Sequence, residues 1–412
     1  MSTSMYIAKS TNKEIIERAE SGVVTSLLRC ALETGYVDAV VTVRAKNGDR
    51  YSGVPVIISK SADLLDTIGT LHCMAPNIPR FVKEYLEGAS KMKLAVVGKP
   101  CDIRAIRELQ KREQINIENL VMIGLNCTGT LDPVIAKKML VEEFSVNPHN
   151  VKKLDINDGE ITALLEDGSE IIKDLDSLEK KGYGRRESCR RCVYNIPSFA
   201  DIACGRWGTE QQNETFIEVC TDKGSALIER AMGKNFITIS KADESSITVR
   251  EKRDAAEIKR AMKWREYYFK PLEDRSIPER FEYWNEQFSN CIKCFGCRDA
   301  CPICYCESCL LEASRKYLAN GEIPPNIQFH LTRLAHVADS CIGCGQCSDA
   351  CPMDIPLSRL FSLTNQKLND VFAYSPGIDT EQGPPLITAS DDELMIDDTF
   401  LNVAETMKRD KK

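Results

Sequence analysis

Cys291, Cys294, Cys297 and Cys301 stand in the spacing C-x2-C-x2-C-x3-C, with Pro302 directly behind them. Cys341, Cys344, Cys347, Cys351 and Pro352 repeat that spacing, starting 50 residues further on, with the same Asp-Ala before the last cysteine. This is the run that holds paired [4Fe–4S] clusters. Three closely spaced thiolates wrap one face of a cubane, and the fourth, before the proline, points to the other cluster. The spacing therefore predicts one cluster on Cys291, Cys294, Cys297 and Cys351, and a second on Cys341, Cys344, Cys347 and Cys301. Gly296, Gly343 and Gly345 are expected to let backbone amides approach the sulfides, which helps set the potential. Zinc also uses C-x2-C pairs, but a zinc site does not account for a third Cys at x2 followed by x3-C-P, twice over. Cys304, Cys306 and Cys309 extend the first run and stay outside the ligand sets, as alternative ligands, redox-active thiols or buried packing.

A second constellation lies earlier. Cys189 and Cys192 form an isolated C-x2-C pair, preceded by Arg185 and Arg186 and followed by ADIACGRWG. Cys101 follows a predicted strand in VVGKPCDIRAIR, and Cys127 ends another in IGLNCTG. Open α/β sheets gather ligands at the carboxyl ends of their strands, so these four cysteines either converge there or are buried free thiols. Cys30, Cys73, Cys204 and Cys220 sit in apolar or helical contexts and read as core packing. His330 and His336 are six apart, the wrong interval for two ligands on one helix face, and read as structural. Trp264, Tyr267 and Tyr268 lie at helical spacing and read as core.

The elements that must position these residues follow from the rest of the chain. Its 412 residues, 43% hydrophobic and 28% charged, suffice for two or three globular domains. A formal net charge of −7 leaves no footprint for nucleic acid. The first residues lack the apolar stretch of a secretory signal, and no apolar run is long enough to span a bilayer. A cytoplasmic location is expected. In that setting nineteen cysteines, an odd count, argue for soft-metal ligands over a disulfide framework.

Strands are predicted at 39–43, 55–58, 94–98, 120–125, 201–205, 216–220 and 236–240, with a meander over 151–173 turning at Asp-Gly pairs. Helices are predicted at 78–86, 103–111, 133–144, 223–232, 254–268 and 278–288, then at 306–319 and up to about 338. The expected fold is an α/β domain with a mixed sheet over 1–270, then a mainly helical, bacterial-ferredoxin-like module with two [4Fe–4S] clusters over 271–371. A C-terminal arm, 372–412, is expected to be extended, and its acidic DDELMIDD is a docking arm or simply solvated.

The first-domain motifs resemble the coenzyme F420 hydrogenase/dehydrogenase beta-subunit family. SGVVTSLLRCALETGYVDAVV is similar to its Gly-x-Val-Thr helix segment, and VGKPCDIRAIR to its Gly-x-Pro-Cys loop. CRRCVYNIPSFADIACGRWG is similar to its Cys-x2-Cys…Ala-Asp-Ile…Gly-x2-Gly stretch, and TDKGSALIE to its Thr-x-Lys-Gly segment. These motifs occur in family order across about residues 20–240. Ser21 replaces the first glycine of the usual pair, and Gly69-Thr70-Leu71-His72 stands where Gly-Ser-Lys-Tyr is common. Within the family, the appended two-cluster module matches the formate dehydrogenase branch, whereas the hydrogenase branch matches the first domain mainly.

The resemblance implies one FAD, a third [4Fe–4S] cluster on Cys101, Cys127, Cys189 and Cys192, and a docking site for coenzyme F420 as substrate. Carried over residue by residue, it implies cofactor contacts at Gly22, Thr25, Lys99, Pro100, Asn126, Asp201, Gly205, Gly208, Thr221 and Lys223. Without it no flavin follows from the residues, since the chain has neither a G-x-G-x-x-G after a strand nor a Walker A loop. Clusters pass single electrons, the deazaflavin carries hydride, and a flavin converts between the two. The expected role is thus a β subunit that takes electrons from a formate-oxidising, molybdopterin- or tungstopterin-containing α subunit and delivers hydride to F420, reversibly. A heterodisulfide reductase complex is a further partner left open. The alternatives are the same chemistry with a hydrogenase or ferredoxin as donor, or a flavin-free relay. No catalytic side chain is assigned. The basic residues Lys180, Lys181, Arg185, Arg186, Arg190 and Arg191 are expected either to steer the anionic deazaflavin tail or to form a solvated loop face.

Overall fold

The computed structural model describes residues 4–19, 21–47, 49–73, 76–307, 309–312, 314, 322–378 and 381–386. Eight strands form one sheet: β1 (Ser4–Ser10), β2 (Ala39–Lys46), β3 (Asp49–Ile58), β4 (Leu94–Gly98), β5 (Leu120–Leu125), β9 (Ile202–Gly205), β10 (Thr215–Val219) and β11 (Ile237–Lys241). Their order is β11-β1-β10-β9-β5-β4-β2-β3. The central pairs β2–β4, β4–β5 and β5–β9 are parallel, and the flanks are antiparallel. The sheet is mixed, as the sequence predicts.

The centre is parallel because its strands are apolar on both faces. In β2, β4 and β5, Val40, Ala95, Val97, Val121 and Ile123 face a core that holds α2 (Val23–Glu33) and α8 (Asp222–Gly233). Ala39, Val41, Leu94, Val96, Leu120 and Met122 face the opposite core, built on α3 (Ile78–Tyr85) and α4 (Pro100–Gln110). Cys30 and Cys204 pack in the first core. A separate meander of β6 (Val151–Asn157), β7 (Glu160–Leu165) and β8 (Glu170–Asp174) packs on α5 (Pro133–Glu142) and α6 (Leu175–Lys180), with Cys73 in its core. The short helix α1 (Lys13–Arg18) precedes α2, and α7 (Glu187–Arg190) carries Cys189.

Polar caps set the helix starts. Asn12 accepts from Ile15 N, Asp132 from Val134 N and Ile135 N, Thr221 from Gly224 N, and Asp243 from Ser246 N. The last opens α9 (Glu244–Glu273), longer at both ends than the sequence predicts, so the expected boundary at 270 falls in its final turn. Ser276 and Glu279 form a capping box on α10 (Ile277–Ser289).

The cysteine runs follow. Two four-residue helices, α11 (Gly296–Asp299) and α13 (Gln346–Asp349), sit inside them, with α12 (Ile327–Val337) between and α14 (Leu357–Phe372) after. Phe288, Val337, Ile355, Leu357 and Phe361 form the core of this part. The helix expected over 306–319 differs: Cys306, Glu307 and Cys309–Glu312 lie in loops and turns, and most of the later residues fall outside the described ones. The arm also departs from an extended one where it begins. Tyr374 is 1% exposed, its hydroxyl donates to Glu108 (2.8 and 2.7 Å), and Gly377 N donates to the same carboxylate (3.0 Å). DDELMIDD lies outside the described residues.

Candidate metal centres

Cys291, Cys294, Cys297 and Cys351 line one cavity, together with Phe295, His330 and Ile355. The loop of the first run turns through left-handed backbone at Lys293 (φ 54°) and Phe295 (φ 61°). The second run turns at the equivalent Gly343 (φ 71°) and Gly345 (φ 79°). Both runs thus adopt one wrap, with glycine only in the second supplying the conformation at no steric cost. A Cβ on Gly296 would lie 2.8 Å from Ala350 O and 3.6 Å from Cys294 Sγ, so a side chain there would crowd the thiol loop.

Cys341, Cys344 and Cys347 lie in electrostatic reach of Cys301, the thiol from the other run. Cys101, in the first turn of α4, faces Cys127, just past β5, and Cys192; Cys127 also faces Cys189. The structure therefore places the first-domain cysteines near one another at the carboxyl ends of β4 and β5. Cys101, Cys301 and Cys344 share one small apolar cluster with Ala105, Ile303 and Ile342. One cysteine set from each domain meets there.

Burial raises the Cys101, Cys192, Cys291 and Cys297 thiols, pushes Cys127 up to about 12 and Cys341 to about 11. Cys301 moves the other way, because the Cys304 thiol donates to it. Apolar thiol pockets of this kind call for a strongly cationic occupant to hold the thiolates. Among the described residues no group of three or more His, Cys, Asp or Glu converges closely enough for a single metal ion. The four thiols around the first cavity, with no carboxylate in its lining, fit an iron–sulfur cubane better than zinc.

His330 is 2% exposed and stacked on Phe288 at 3.9 Å, consistent with a structural role, and burial beside Arg333 lowers its pKa to about 4. Trp264, Tyr267 and Tyr268 stack on one another, yet Tyr267 is 66% exposed, so the trio is a surface cluster against Arg190 and Arg359, not core.

The basic stretch requires a correction. Arg185, Arg190 and Arg191 are buried, so they neither steer a ligand nor form a solvated face. Arg185 pairs with Glu179 (2.6 Å) and Glu257 (3.2 Å), and Arg190 holds the Arg185, Glu179 and Tyr183 carbonyls. Arg191 reaches Ser358 (2.8 Å), and Arg186 bonds Asp349 and the Cys344 carbonyl (2.9 Å). Arg186 and Arg191 thus bolt the cysteine module onto the sheet domain, while Arg185 and Arg190 brace the loop that carries them. Lys180 and Lys181 alone are exposed.

The residues carried over for cofactor contact divide between two edges of the sheet. Gly22, Thr25, Lys99, Pro100, Asn126, Gly205 and Gly208 lie where the parallel strands end or beside that edge. The Asn126 amide is buried with neither polar atom partnered and lies directly against Gly205, which suits a polar ligand. Lys99 Nζ pairs with Asp102 at 2.7 Å. Asp201, Thr221 and Lys223 gather at the opposite edge. There Asp201 accepts from Met122 N (2.6 Å) and the Thr221 hydroxyl (2.5 Å), and Lys223 donates to Ile117 O (2.9 Å).

Sequence reasoning overlooked Arg104, Glu108, Arg112 and Arg333. Arg104 and Glu108 face the module from α4, and Arg112 from just past its end: Arg104 donates to Ile342 O (3.1 Å) and Pro376 O (2.9 Å), and Arg112 bonds Ser340. Their spacing of four was the available signal.

Comparison with known proteins agrees with this anatomy. Residues 5–80 match the model of the coenzyme F420 hydrogenase/dehydrogenase beta-subunit N-terminal region, and residues 91–245 that of its C terminus. Residues 287–355 match the 4Fe–4S dicluster domain. The F420-dependent formate dehydrogenase subunit beta of Methanocaldococcus jannaschii is 42% identical over 383 residues, 92% of this chain and 98% of its own length. The F420-dependent formate dehydrogenase 1 subunit beta of Methanococcus maripaludis is 42% identical over 391 residues, 94% and 98% of the two lengths. A chain of the F420-reducing [NiFe] hydrogenase complex from Methanosarcina barkeri shares the fold, with a TM-score of 0.57 at 20% identity over 67% of this chain and 94% of that one. The motif order in the sheet domain, the dicluster module behind it and this near-full-length identity place the chain in the coenzyme F420 hydrogenase/dehydrogenase beta-subunit family.

Proposed function

We propose that the chain connects a formate-oxidising partner to coenzyme F420 through three [4Fe–4S] clusters and one FAD. It is an oxidoreductase subunit, the beta subunit of an F420-dependent formate dehydrogenase, as its near-full-length relatives are. The dicluster module gives it the iron–sulfur centres of an electron carrier. The observation that carries the finer reading is the meeting of Cys101, Cys301 and Cys344 in one apolar cluster, which makes the centres contiguous across the domain boundary.

In this reading Cys291, Cys294, Cys297 and Cys351 hold the outer cluster, and Cys341, Cys344, Cys347 and Cys301 the inner one. Cys101, Cys127, Cys189 and Cys192 hold the third. A bound FAD would supply the conversion between single electrons and hydride. Lys99, Asn126, Gly205 and Gly22 are the residues placed to hold it, at the carboxyl edge and beside the third thiol set. Asp201, Thr221 and Lys223 shape the fold at the other edge, so we leave them outside the flavin site. Formate chemistry belongs to a pterin-bearing partner, and no helix among the described residues is long and apolar enough to cross a membrane.

Anaerobic purification with iron, sulfide, zinc and flavin analysis tests the proposal. About twelve irons and one FAD per chain are expected, with F420 reduction by an artificial donor. About eight irons and no flavin would reduce the chain to a ferredoxin-like relay, and stoichiometric zinc would overturn the clusters altogether.

A further inference from the structure

Arg333 is among the largest fully buried side chains of the molecule, 2% exposed, and among the described residues no carboxylate pairs with it. Its Nη2 donates to the Cys297 carbonyl at 2.6 Å, while Nε and Nη1 are buried without any partner. A guanidinium carries fixed N–H donors and is always charged. Burying it with one carbonyl for company is unfavourable unless something anionic compensates. The groups it faces are thiols from both cysteine runs: Cys297 of the outer set, Cys301 and Cys347 of the inner set, and Cys304. The Phe361 ring, 5.3 Å from the guanidinium carbon, closes another side.

We propose that Arg333 is the shared counter-charge of the two clusters, donating its unpartnered N–H groups to cluster sulfur and holding both reduction potentials up. A cubane on four thiolates is a net anion and gains one more negative charge on reduction. A fixed cation nearby therefore favours the reduced form, most strongly where water is excluded. Hydrogen bonds to sulfur and net charge are the levers by which a protein sets such potentials. Because the cation faces both sets, one residue biases both clusters in the same direction. Arg333 acts here as a positioning and tuning residue; it ligates nothing.

The inference rests on the ligand sets proposed above, and its test separates the two. Arg333→Met and Arg333→Lys are compared with the unaltered chain in the anaerobically purified complex, by iron and sulfide content and by EPR-monitored redox titration. Wild-type iron content checks the ligand sets, whatever the variants do. With iron intact, both midpoint potentials should fall in Arg333→Met and stay near the wild-type values in Arg333→Lys, which keeps the charge. Loss of iron in Arg333→Met alone would also support a counter-charge. Unchanged potentials in a fully loaded Arg333→Met chain would overturn the proposal. So would equal potential shifts, or equal iron loss, in both variants, since packing and not charge would then be the cause.

Discussion

Nineteen cysteines of one chemical type serve different ends here, and what separates them is what each thiol faces. Cys101, Cys127, Cys189 and Cys192 face one another; Cys204 faces the apolar side chains of the sheet core and is 1% exposed. Cys189→Ser should lower the iron content by about four per chain, the complement of one cubane. Cys204→Ala should leave iron unchanged, and metal analysis of the two variants distinguishes ligand from packing. Cys220 offers a pH test away from any proposed ligand. Burial first, and then the nearby Glu218 charge, push its thiol up to about 12. The thiolate is the nucleophile, so a raised value keeps Cys220 protonated and slow to react at neutral pH. Its alkylation rate should climb about tenfold per pH unit between about pH 7 and 10 without a plateau. A plateau below pH 9.5 in mass-spectrometric labelling would contradict the assignment.

Helix α4 shows at the element scale how a sheet domain acquires a second domain. Ile103, Ile106 and Leu109 face the sheet, whereas Arg104 and Glu108, with Arg112 just past the helix end, face the module. Glu108 is fully buried and satisfies the Tyr374 hydroxyl and Gly377 N. Glu108→Ala should destabilise the docked module by roughly 3–5 kcal/mol, the cost of leaving buried partners unsatisfied. Tyr374→Phe should cost less, about 1–3 kcal/mol, since one donor goes and the carboxylate keeps others. Urea unfolding and protease release of the C-terminal part should rank them in that order. The same docking surface includes Gly345 (φ 79°), where a Cβ would overlap Ser188. Gly345→Ala should therefore weaken the seat of α13 on α7 and lower iron retention at the inner set. The central strands, the meander and most helices were legible because each carries its own local signal: a doubly apolar run, an Asp-Gly turn, a capped amphipathic stretch. Strand β1 was not legible, since SMYIAKS has little pattern of its own and is held by β10 and β11, more than two hundred residues away. Helix α14 was missed for a similar reason, its Ser, Thr and Asn residues diluting the apolar row. The arginines of 185–191 were visible as charge, but Glu179, Glu257 and Asp349, which bury them, converge only in the fold.

Across the whole molecule the cysteine sets adjoin one another. The outer set opens on a cavity beside His330, the inner set follows, and Cys344 and Cys301 meet Cys101 at the edge of the sheet domain. The repeat in the sequence pointed to the first two sets, and the spacing of the runs to their proposed exchange of the fourth cysteine. It could not disclose that the third set abuts the second, because Cys101 and Cys344 are joined only by the docking of α4. On the proposed ligand sets, that contiguity would make the third cluster obligatory for electron delivery and dispensable for electron entry. In a Cys189→Ser, Cys192→Ser double variant, assembled with its partner, formate should still reduce the two clusters of the module, seen as their EPR signals. F420 reduction should fall to near zero, although the flavin content is unchanged. Arg186 also bonds the Cys344 carbonyl and Asp349, so its contacts keep the module seated when the third cluster is missing. F420 reduction at the wild-type rate in that variant would mean that electrons reach the flavin edge without passing Cys101, and the contiguity of the sets would then be an accident of docking.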